Sequence, residues 1–293
     1  MPTILPVRHQ LPLPLQRVIL ETEPNPEALE MDVVIVGAGP AGLACAIELA
    51  RLARENPGEK TAELNIAVLE KAESLGEHTL SGAVVNPRAF RELFPGMDPA
   101  DFPFRRPVAS EAVYLLTARR AQRIPTPPTM HNKSYYTASL CEVVRWLGER
   151  AEEAGVNLFA GFPVDALLVN GDTVKGVRTT PSGLDRDGRP GSNYTEPTDV
   201  TAKITVLAEG TRGTLSQAYR QWQKIGSTNP QLFALGVKEV WETSRPLDRV
   251  IHTLGWPLPT DAFGGSFMYP LGSNQIAIGL VVGLDYHNAD LDV

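Results

Sequence analysis

Val33-Val34-Ile35-Val36-Gly37-Ala38-Gly39-Pro40-Ala41-Gly42-Leu43 joins an apolar, β-branched run to three spaced glycines and then to an apolar helical pattern. That order predicts a strand over Met31–Val36, a tight turn, and a helix through Ile47, Leu49 and Leu52 that Asn56-Pro57-Gly58 stops. Leu64–Leu69 is a second apolar run with Glu70 at its end, so the three elements read as a βαβ unit on a parallel sheet. Glycines cluster in any turn. A strand before them, a helix after them and an acid closing the next strand form the context that dinucleotide binding requires. Gly37 permits the sharp turn, Gly39 leaves room for a pyrophosphate, and Gly42 lets the helix pack close to the sheet. Pro40 and Ala41 open the helix and bring its positive end to the anion. Glu70 is suited to accept from two ribose hydroxyls and opposes a 2′-phosphate, which disfavours NADP. It lies further from Gly42 than the roughly 20 residues usual for this motif, because Asn56–Glu63 lengthens the connection.

Outward from this unit the pattern changes. Pro87, Pro95, Pro99, Pro103 and Pro107 enclose a short amphipathic segment, Ala89–Phe94. Ser139 opens a helix with Glu142 as its capping-box partner, Leu140, Val143, Val144, Leu147 and Ala151 form its apolar face, and Gly155 stops it. Val156–Phe159 reads as a third strand of the sheet. A hairpin follows, from Ala166–Val169 through Asn170-Gly171 to Val174–Thr179. Pro181–Pro197 reads as a solvated hairpin loop; its Asp185 and Asp187 lack the downstream Glu of a calcium loop. Val200–Ala208 is a strand ending in Glu209-Gly210. Phe233–Val240, Arg249–Leu254, Gly265–Tyr269 and Ile276–Leu284 are further strands, so two discontinuous, interleaved domains are expected.

Composition narrows the function classes. The 293 residues carry 27 Lys+Arg against 34 Asp+Glu, a net charge of −7. No basic run interleaved with aromatics occurs, which argues against a nucleic-acid partner. The longest apolar stretch, Val33–Ile47, is shorter than the ~20 residues needed to span a bilayer. Met1–Glu30 lacks the apolar core of a signal peptide and reads as a loosely ordered arm. Cys45 and Cys141 are the two cysteines; both lie in apolar helical patterns and read as packing thiols. No catalytic nucleophile and no metal site is expected. Ser74–Ala83 is a small-residue loop, either an ordinary connection or a segment running beside a flavin ring.

Several stretches together resemble one family, electron transfer flavoprotein–ubiquinone oxidoreductase. They are the run Val33–Leu43, Leu69–Phe90 with its HTLSGA core, RELFPG at Arg91–Gly96, VKG at Val174–Gly176 and AEGTRG at Ala208–Gly213. They continue with HTLGWPL at His252–Leu258, FGGSFMY at Phe263–Tyr269 and GLVVGLDY at Gly279–Tyr286. The resemblance covers nearly everything after Asp32. It implies an α/β (α+β overall) two-domain FAD-dependent flavoprotein fold, with a parallel dinucleotide-binding sheet and an interleaved, largely antiparallel quinone-binding domain. The implied FAD-binding domain spans 31–83 and 136–225; the implied quinone- and membrane-contact domain spans 84–135 and 226–293.

In that family FAD and a [4Fe–4S] cluster carry electrons from electron transfer flavoprotein to ubiquinone at a membrane surface. Carried over, Gly37, Gly39, Pro40, Ala41, Gly42, Glu70, Lys71, Glu209 and Gly210 match the dinucleotide site. His78, Thr79, Leu80, Ser81 and Gly82 match the flavin-side segment, where the Thr79 and Ser81 hydroxyls are candidates to bond near the ring. Gly264-Gly265, on composition alone a strand bulge, matches the paired glycines that meet the quinone head group. Val84–Phe104, with Arg105 and Arg106, matches the part that dips into one leaflet, Phe90, Leu93, Phe94, Met97, Phe102 and Phe104 offering apolar contact and the arginines meeting lipid phosphates. Read without the family, the same segment is a buried amphipathic stretch. The implied location is a bacterial cytoplasmic membrane or the matrix face of the mitochondrial inner membrane. The family's four cluster-binding cysteines have no counterpart here, so the chain reads as about the first half of such a protein. The alternatives are an FAD-dependent isoprenoid reductase or monooxygenase of the same fold, and a non-catalytic nucleotide-binding module at a membrane.

Overall fold

The computed structural model describes residues 11–58, 64–80, 82–229 and 231–288. The chain divides into two compact units, the first made of residues 1–77 and 147–226, the second of residues 78–146 and 227–293. In order it forms α1 (Leu15–Val18), β1 (Ile19–Glu21), β2 (Leu29–Val36), α2 (Pro40–Glu55) and β3 (Ile66–Glu70). Next come β4 (Ala83–Val85), α3 (Arg88–Leu93), β5 (Arg106–Pro107), β6 (Glu111–Leu116), β7 (Ala121–Ile124) and β8 (Tyr136–Ala138). Then follow α4 (Leu140–Glu153), β9 (Asn157–Ala160), β10 (Val164–Asn170), β11 (Thr173–Thr179), β12 (Ser182–Leu184), β13 (Pro190–Thr195), β14 (Asp199–Leu207) and α5 (Thr214–Trp222). β15 (Ala234–Glu242), β16 (Val250–Gly255), β17 (Gly264–Pro270) and β18 (Gln275–Gly283) complete the described elements.

The first unit is built on a seven-stranded sheet of order β1-β10-β11-β14-β2-β3-β9. β14, β2, β3 and β9 run parallel to one another, as the βαβ reading requires. Val34, Ile35, Ala67 and Val68 have no exposed surface, which is the reason β2 and β3 read as unbroken apolar runs rather than alternating ones. β10 and β11 form the expected hairpin, with Asn170 paired to Thr173 and Gly171-Asp172 at the tip. α4 ends as its glycine predicts: Gly155 has φ +82°, its N–H donates to Glu152 O (2.8 Å), and the Val156 N–H donates to Ala151 O (3.0 Å).

The expectation of a loosely ordered arm over 1–30 fails from residue 13 onward. β1 pairs in parallel with β10, and Val18 is 5 % exposed in a cluster with Val169, Val177 and Leu215. Leu13, Leu15 and Ile19 pack against the same cluster, so apolar burial holds the segment. A second anchor is polar. Asp199, 1 % exposed, receives both Arg178 Nε (2.7 Å) and Nη2 (2.8 Å) and the Asn25 N–H (2.8 Å). Burial pushes the Asp199 carboxyl up, but Arg178 and the Asn25 amide outweigh it and hold it below the usual range.

The second unit carries a six-stranded sheet of order β15-β18-β17-β16-β6-β7, antiparallel except where β16 runs parallel to β6. A three-stranded sheet, β4-β8-β5, accompanies it. β8 and the first turns of α4 therefore belong to this unit, where the sequence puts residues 136–146 with the nucleotide-binding half. Glu142, the expected capping-box partner of Ser139, also forks onto Arg105 through two hydrogen bonds, that to Nε at 2.8 Å.

Candidate functional site

In the first unit the glycines of the βα turn have three different surroundings. Gly37 has φ +105°, and a Cβ there would lie 2.5 Å from the Ala208 carbonyl oxygen, so the turn after β2 is pressed against the end of β14. A Cβ on Gly42 would collide with the Gly37 carbonyl, so α2 can start this close to the strand only with hydrogen at that position. Gly39 has nothing within 4 Å of its Cβ position. It is the N-cap of α2, makes no side-chain cap, and has no acid in the turn that follows. Open space, uncapped amides and the positive end of a helix thus coincide at one residue, the arrangement that takes an anion.

Two carboxylates flank this turn. Glu70, at the end of β3, receives the Ala38 N–H on Oε2 and the Ala72 N–H on Oε1, each at 2.9 Å. The acid expected at a ribose therefore sits against the glycine turn itself. Each oxygen retains a second lone pair for a hydroxyl donor. Glu209 is otherwise engaged: it receives the Leu215 N–H (3.1 Å), the Ser216 N–H (2.7 Å) and the Ser216 hydroxyl (2.7 Å). It acts as the missing cap of α5, whose own N-cap is the side-chainless Gly213. Gly210 has φ +82° and open space around it. Lys71 is exposed.

In the second unit His78 and Leu80 are exposed, and the Thr79 carbonyl accepts the Cys141 thiol (2.9 Å). Ser81 lies outside the described residues. Gly82 has φ +85°, and a Cβ on it would come within 2.7 Å of the Ala277 Cβ and 3.4 Å of Lys238 Cδ. Gly82 is therefore seated on one face of the six-stranded sheet, the face that carries Ala277 and Lys238. Burial draws the Lys238 ammonium below its usual pKa, against an opposing influence from Cys141. Tyr269 pairs with Ala277 and so shares this face. So does His252, opposite Phe267, with Nε2 2.9 Å from Tyr269 Oη. Gly264 and Gly265 open β17 at φ +145° and +157°; a Cβ on Gly264 would crowd the Val281 carbonyl and Leu258, and one on Gly265 the Thr253 carbonyl. Backbone must lie against backbone here.

A model described as ETF-QO, ubiquinone-binding, matches residues 233–293, and one for NAD(P)-binding Rossmann-like domains matches residues 35–95. The mitochondrial electron transfer flavoprotein-ubiquinone oxidoreductase of Oryza sativa subsp. japonica is 43% identical over 269 residues, 89% of this chain and 46% of that protein. The Dictyostelium discoideum protein of the same name is 41% identical over 274 residues, 92% of this chain and 45% of that one. The Pseudomonas aeruginosa electron transfer flavoprotein-ubiquinone oxidoreductase is 39% identical over 275 residues, 90% of this chain and 49% of that one. The chain belongs to the electron transfer flavoprotein–ubiquinone oxidoreductase family. It spans about half the length of the curated relatives it matches. Among solved structures, a geranylgeranyl bacteriochlorophyll reductase-like protein of Thermoplasma acidophilum aligns over 86% of this chain and 56% of its own at TM-score 0.60 and 18% identity. A flavin-dependent brominase aligns over 87% of this chain and 56% of its own at TM-score 0.56 and 18% identity. At that identity the likeness is one of fold alone.

For this member of the electron transfer flavoprotein–ubiquinone oxidoreductase family, the structure groups Gly37, Gly39, Pro40, Ala41, Gly42, Glu70 and Lys71 with Glu209 and Gly210 in the first unit. His78, Thr79, Leu80, Gly82, Gly264 and Gly265 lie in the second. The rings of the 84–106 segment differ from the sequence expectation. Phe102 is buried, and Phe90, Phe94 and Phe104 are half-buried, their centroids 4.9–6.3 Å from one another or from Trp146. Their role is mutual packing, because aromatic rings at this spacing gain more from each other than from solvent. Arg88 and Arg91 remain exposed. Lys238, His252 and Tyr269 were missed. A lysine inside an apolar strand pattern was a readable signal for the first; His252 and Tyr269 stand in the HTLGWPL and FGGSFMY stretches, but their pairing depends on cross-strand register.

Proposed function

We propose that this chain is the flavin- and quinone-binding part of an oxidoreductase that passes electrons from reduced electron transfer flavoprotein, through FAD, to ubiquinone. The observation that carries this reading is one chain in which an uncapped glycine turn with Gly39 open to an anion precedes a ubiquinone-binding match over 233–293. The residues present suit FAD: Gly39, Ala41 and Gly42 would meet the pyrophosphate, and Glu70 has lone pairs to spare for a ribose. Bound there, the flavin would supply redox chemistry that can take electrons singly and give them in a pair. Gly37 and Gly42 hold the turn shut against β14. Glu209 fixes the start of α5 behind it.

The residues do not suit the [4Fe–4S] cluster known from the family. A cluster needs four thiolates; this chain has Cys45, which burial pushes toward the neutral thiol, and Cys141, which donates to a carbonyl. A cluster would be held outside these residues. We also place the protein at a membrane surface, with the exposed Arg88 and Arg91 meeting lipid phosphates, on a bacterial cytoplasmic membrane or the matrix face of the mitochondrial inner membrane. The exposed Trp256 and Phe263 of the second unit support that reading.

The test is spectroscopic. In the flavin-loaded protein, reduced electron transfer flavoprotein should bleach the flavin, and a short-tailed ubiquinone should restore it. Flavin that stays oxidised, or that quinone reoxidises no faster than air does, would remove the reading. Sedimentation with anionic vesicles, weakened by Arg88→Glu and Arg91→Glu together, checks the membrane contact; binding to neutral and anionic vesicles alike would remove that part.

A further inference from the structure

Converting a quinone to a quinol requires two protons as well as two electrons, and main-chain amides of glycine can bond a carbonyl oxygen but cannot give it a proton. The face of the six-stranded sheet that carries Gly82 also carries a candidate source. His252 Nε2 and Tyr269 Oη are 2.9 Å apart, with their rings edge-on at 5.5 Å. The phenol is held in place by stacking on Phe267, centroids 4.7 Å apart and planes inclined by 25°. His252 Nδ1 is buried and has no hydrogen-bond partner among the described residues. A buried imidazole nitrogen without a partner is a standing cost, and such groups in native proteins call for a ligand or a role. Both side chains lie within the stretch that matches the ubiquinone-binding model.

We propose that Tyr269 and His252 are the proton-delivering couple for the quinone, Tyr269 Oη touching a quinone carbonyl oxygen and His252 restoring the proton that Tyr269 gives. The proposal rests on the function argued above and adds the residues that complete the chemistry. Each passage moves one proton. The Nδ1 lone pair takes a proton from water, the Nε2–H bond breaks as a new Oη–H bond forms, and the old Oη–H bond breaks as the quinone oxygen gains hydrogen. The histidine returns to its starting tautomer by exchange with water. With the electron pair that a reduced flavin would supply, its own proton passing to solvent, two passages yield the quinol.

The surroundings keep the couple uncharged. Burial draws the imidazole below its usual pKa, opposed by Glu111 on β6, and burial pushes the phenol up to about 12. Glu111 is itself engaged by His131 Nδ1 (3.0 Å) and the Asn132 N–H (2.8 Å). Lys238 from β15 is on the same face, with Cys141 beside it. At neutral pH the pair is therefore a donor and its reserve, not an ion pair.

Stopped-flow reoxidation of the flavin-loaded protein by a short-tailed ubiquinone tests this. Tyr269→Phe keeps the ring stack and removes the hydroxyl; it should slow reoxidation about 100-fold, change the solvent deuterium effect, and leave the rate of flavin reduction unchanged. His252→Gln should slow it about tenfold, with partial rescue by added imidazole. A readout without turnover uses the wild-type protein. The ¹⁵N imidazole signals of His252, assigned by their absence from His252→Gln, should shift when a ubiquinone analogue binds. Variants that reoxidise at the wild-type rate, or His252 signals that do not move at saturation, would overturn the proposal alone. A wild-type protein that ubiquinone cannot reoxidise would overturn the functional reading with it.

Discussion

Gly42 stands directly over the carbonyl of Gly37: a single methyl group on the first would strike the oxygen of the second. The two glycines close the turn between β2 and α2, while Gly39, between them, faces open space. One motif thus contains residues with separable tasks. Gly42→Ala should destabilise the protein by about 2 kcal/mol, since the clash is with main chain and cannot be relieved by a rotamer change. Gly39→Ala should leave the melting temperature nearly unchanged and lower flavin occupancy. Thermal melting beside the flavin-to-protein absorbance ratio separates the two; equal loss of stability in both would contradict the assignment.

Glu70 holds the turn through the Ala38 amide while offering lone pairs to a nucleotide. Replacing it by Gln retains one acceptor oxygen but loses the charge, and should weaken FAD binding about tenfold. Glu70→Ala should weaken it further and loosen the turn. Equilibrium titration of the stripped protein with FAD measures both; an unchanged dissociation constant in the alanine variant would remove Glu70 from the site.

Asp199 is buried, and its charge is balanced by Arg178. Arg178→Met should therefore cost about 3 kcal/mol, because it strands a buried carboxylate with the Asn25 amide as its remaining partner. The sign with pH follows from a native pKa below the unfolded one. The contribution of Asp199 is complete above about pH 4 and is lost as pH falls through the native value. Acid unfolding monitored by circular dichroism should begin at higher pH in the variant. An acid transition identical to wild type would show the ion pair to be inconsequential.

Glu209 supplies to α5 the cap that Gly213 cannot. Glu209→Ala should cost about 1 kcal/mol and leave flavin affinity little changed. Urea unfolding with a parallel FAD titration checks this; a large loss of affinity without loss of stability would instead make Glu209 a direct ligand.

The βαβ unit was legible because its signals are local: an unbroken apolar strand, glycines at fixed spacing, and an acid at the next strand end. Val200–Ala208 could be recognised as a strand, but its place beside β2 could not. What sequence reading lost was non-local. Val18 and Ile19 look like part of a Pro-rich leader until β10 is there to receive them. Glu142 three residues after Ser139 is a sound capping pattern, yet Arg105, distant in sequence, offers it a charged partner. The phenylalanines around Pro99 and Pro103 read equally well as lipid contacts or as core. Trp146, on a helix with its own apolar periodicity, packs against three of them, a contact that no local pattern announces.

The order in which the strands are made has its own consequence. β2 and β3 leave the ribosome early, but β14, the strand that closes the other flank of β2, is synthesised much later, after the chain has twice switched between units. A nascent chain must therefore hold one long side of β2 unzipped until β14 has been made. That interval is when chaperones, or neighbouring copies on the same messenger, have access to it.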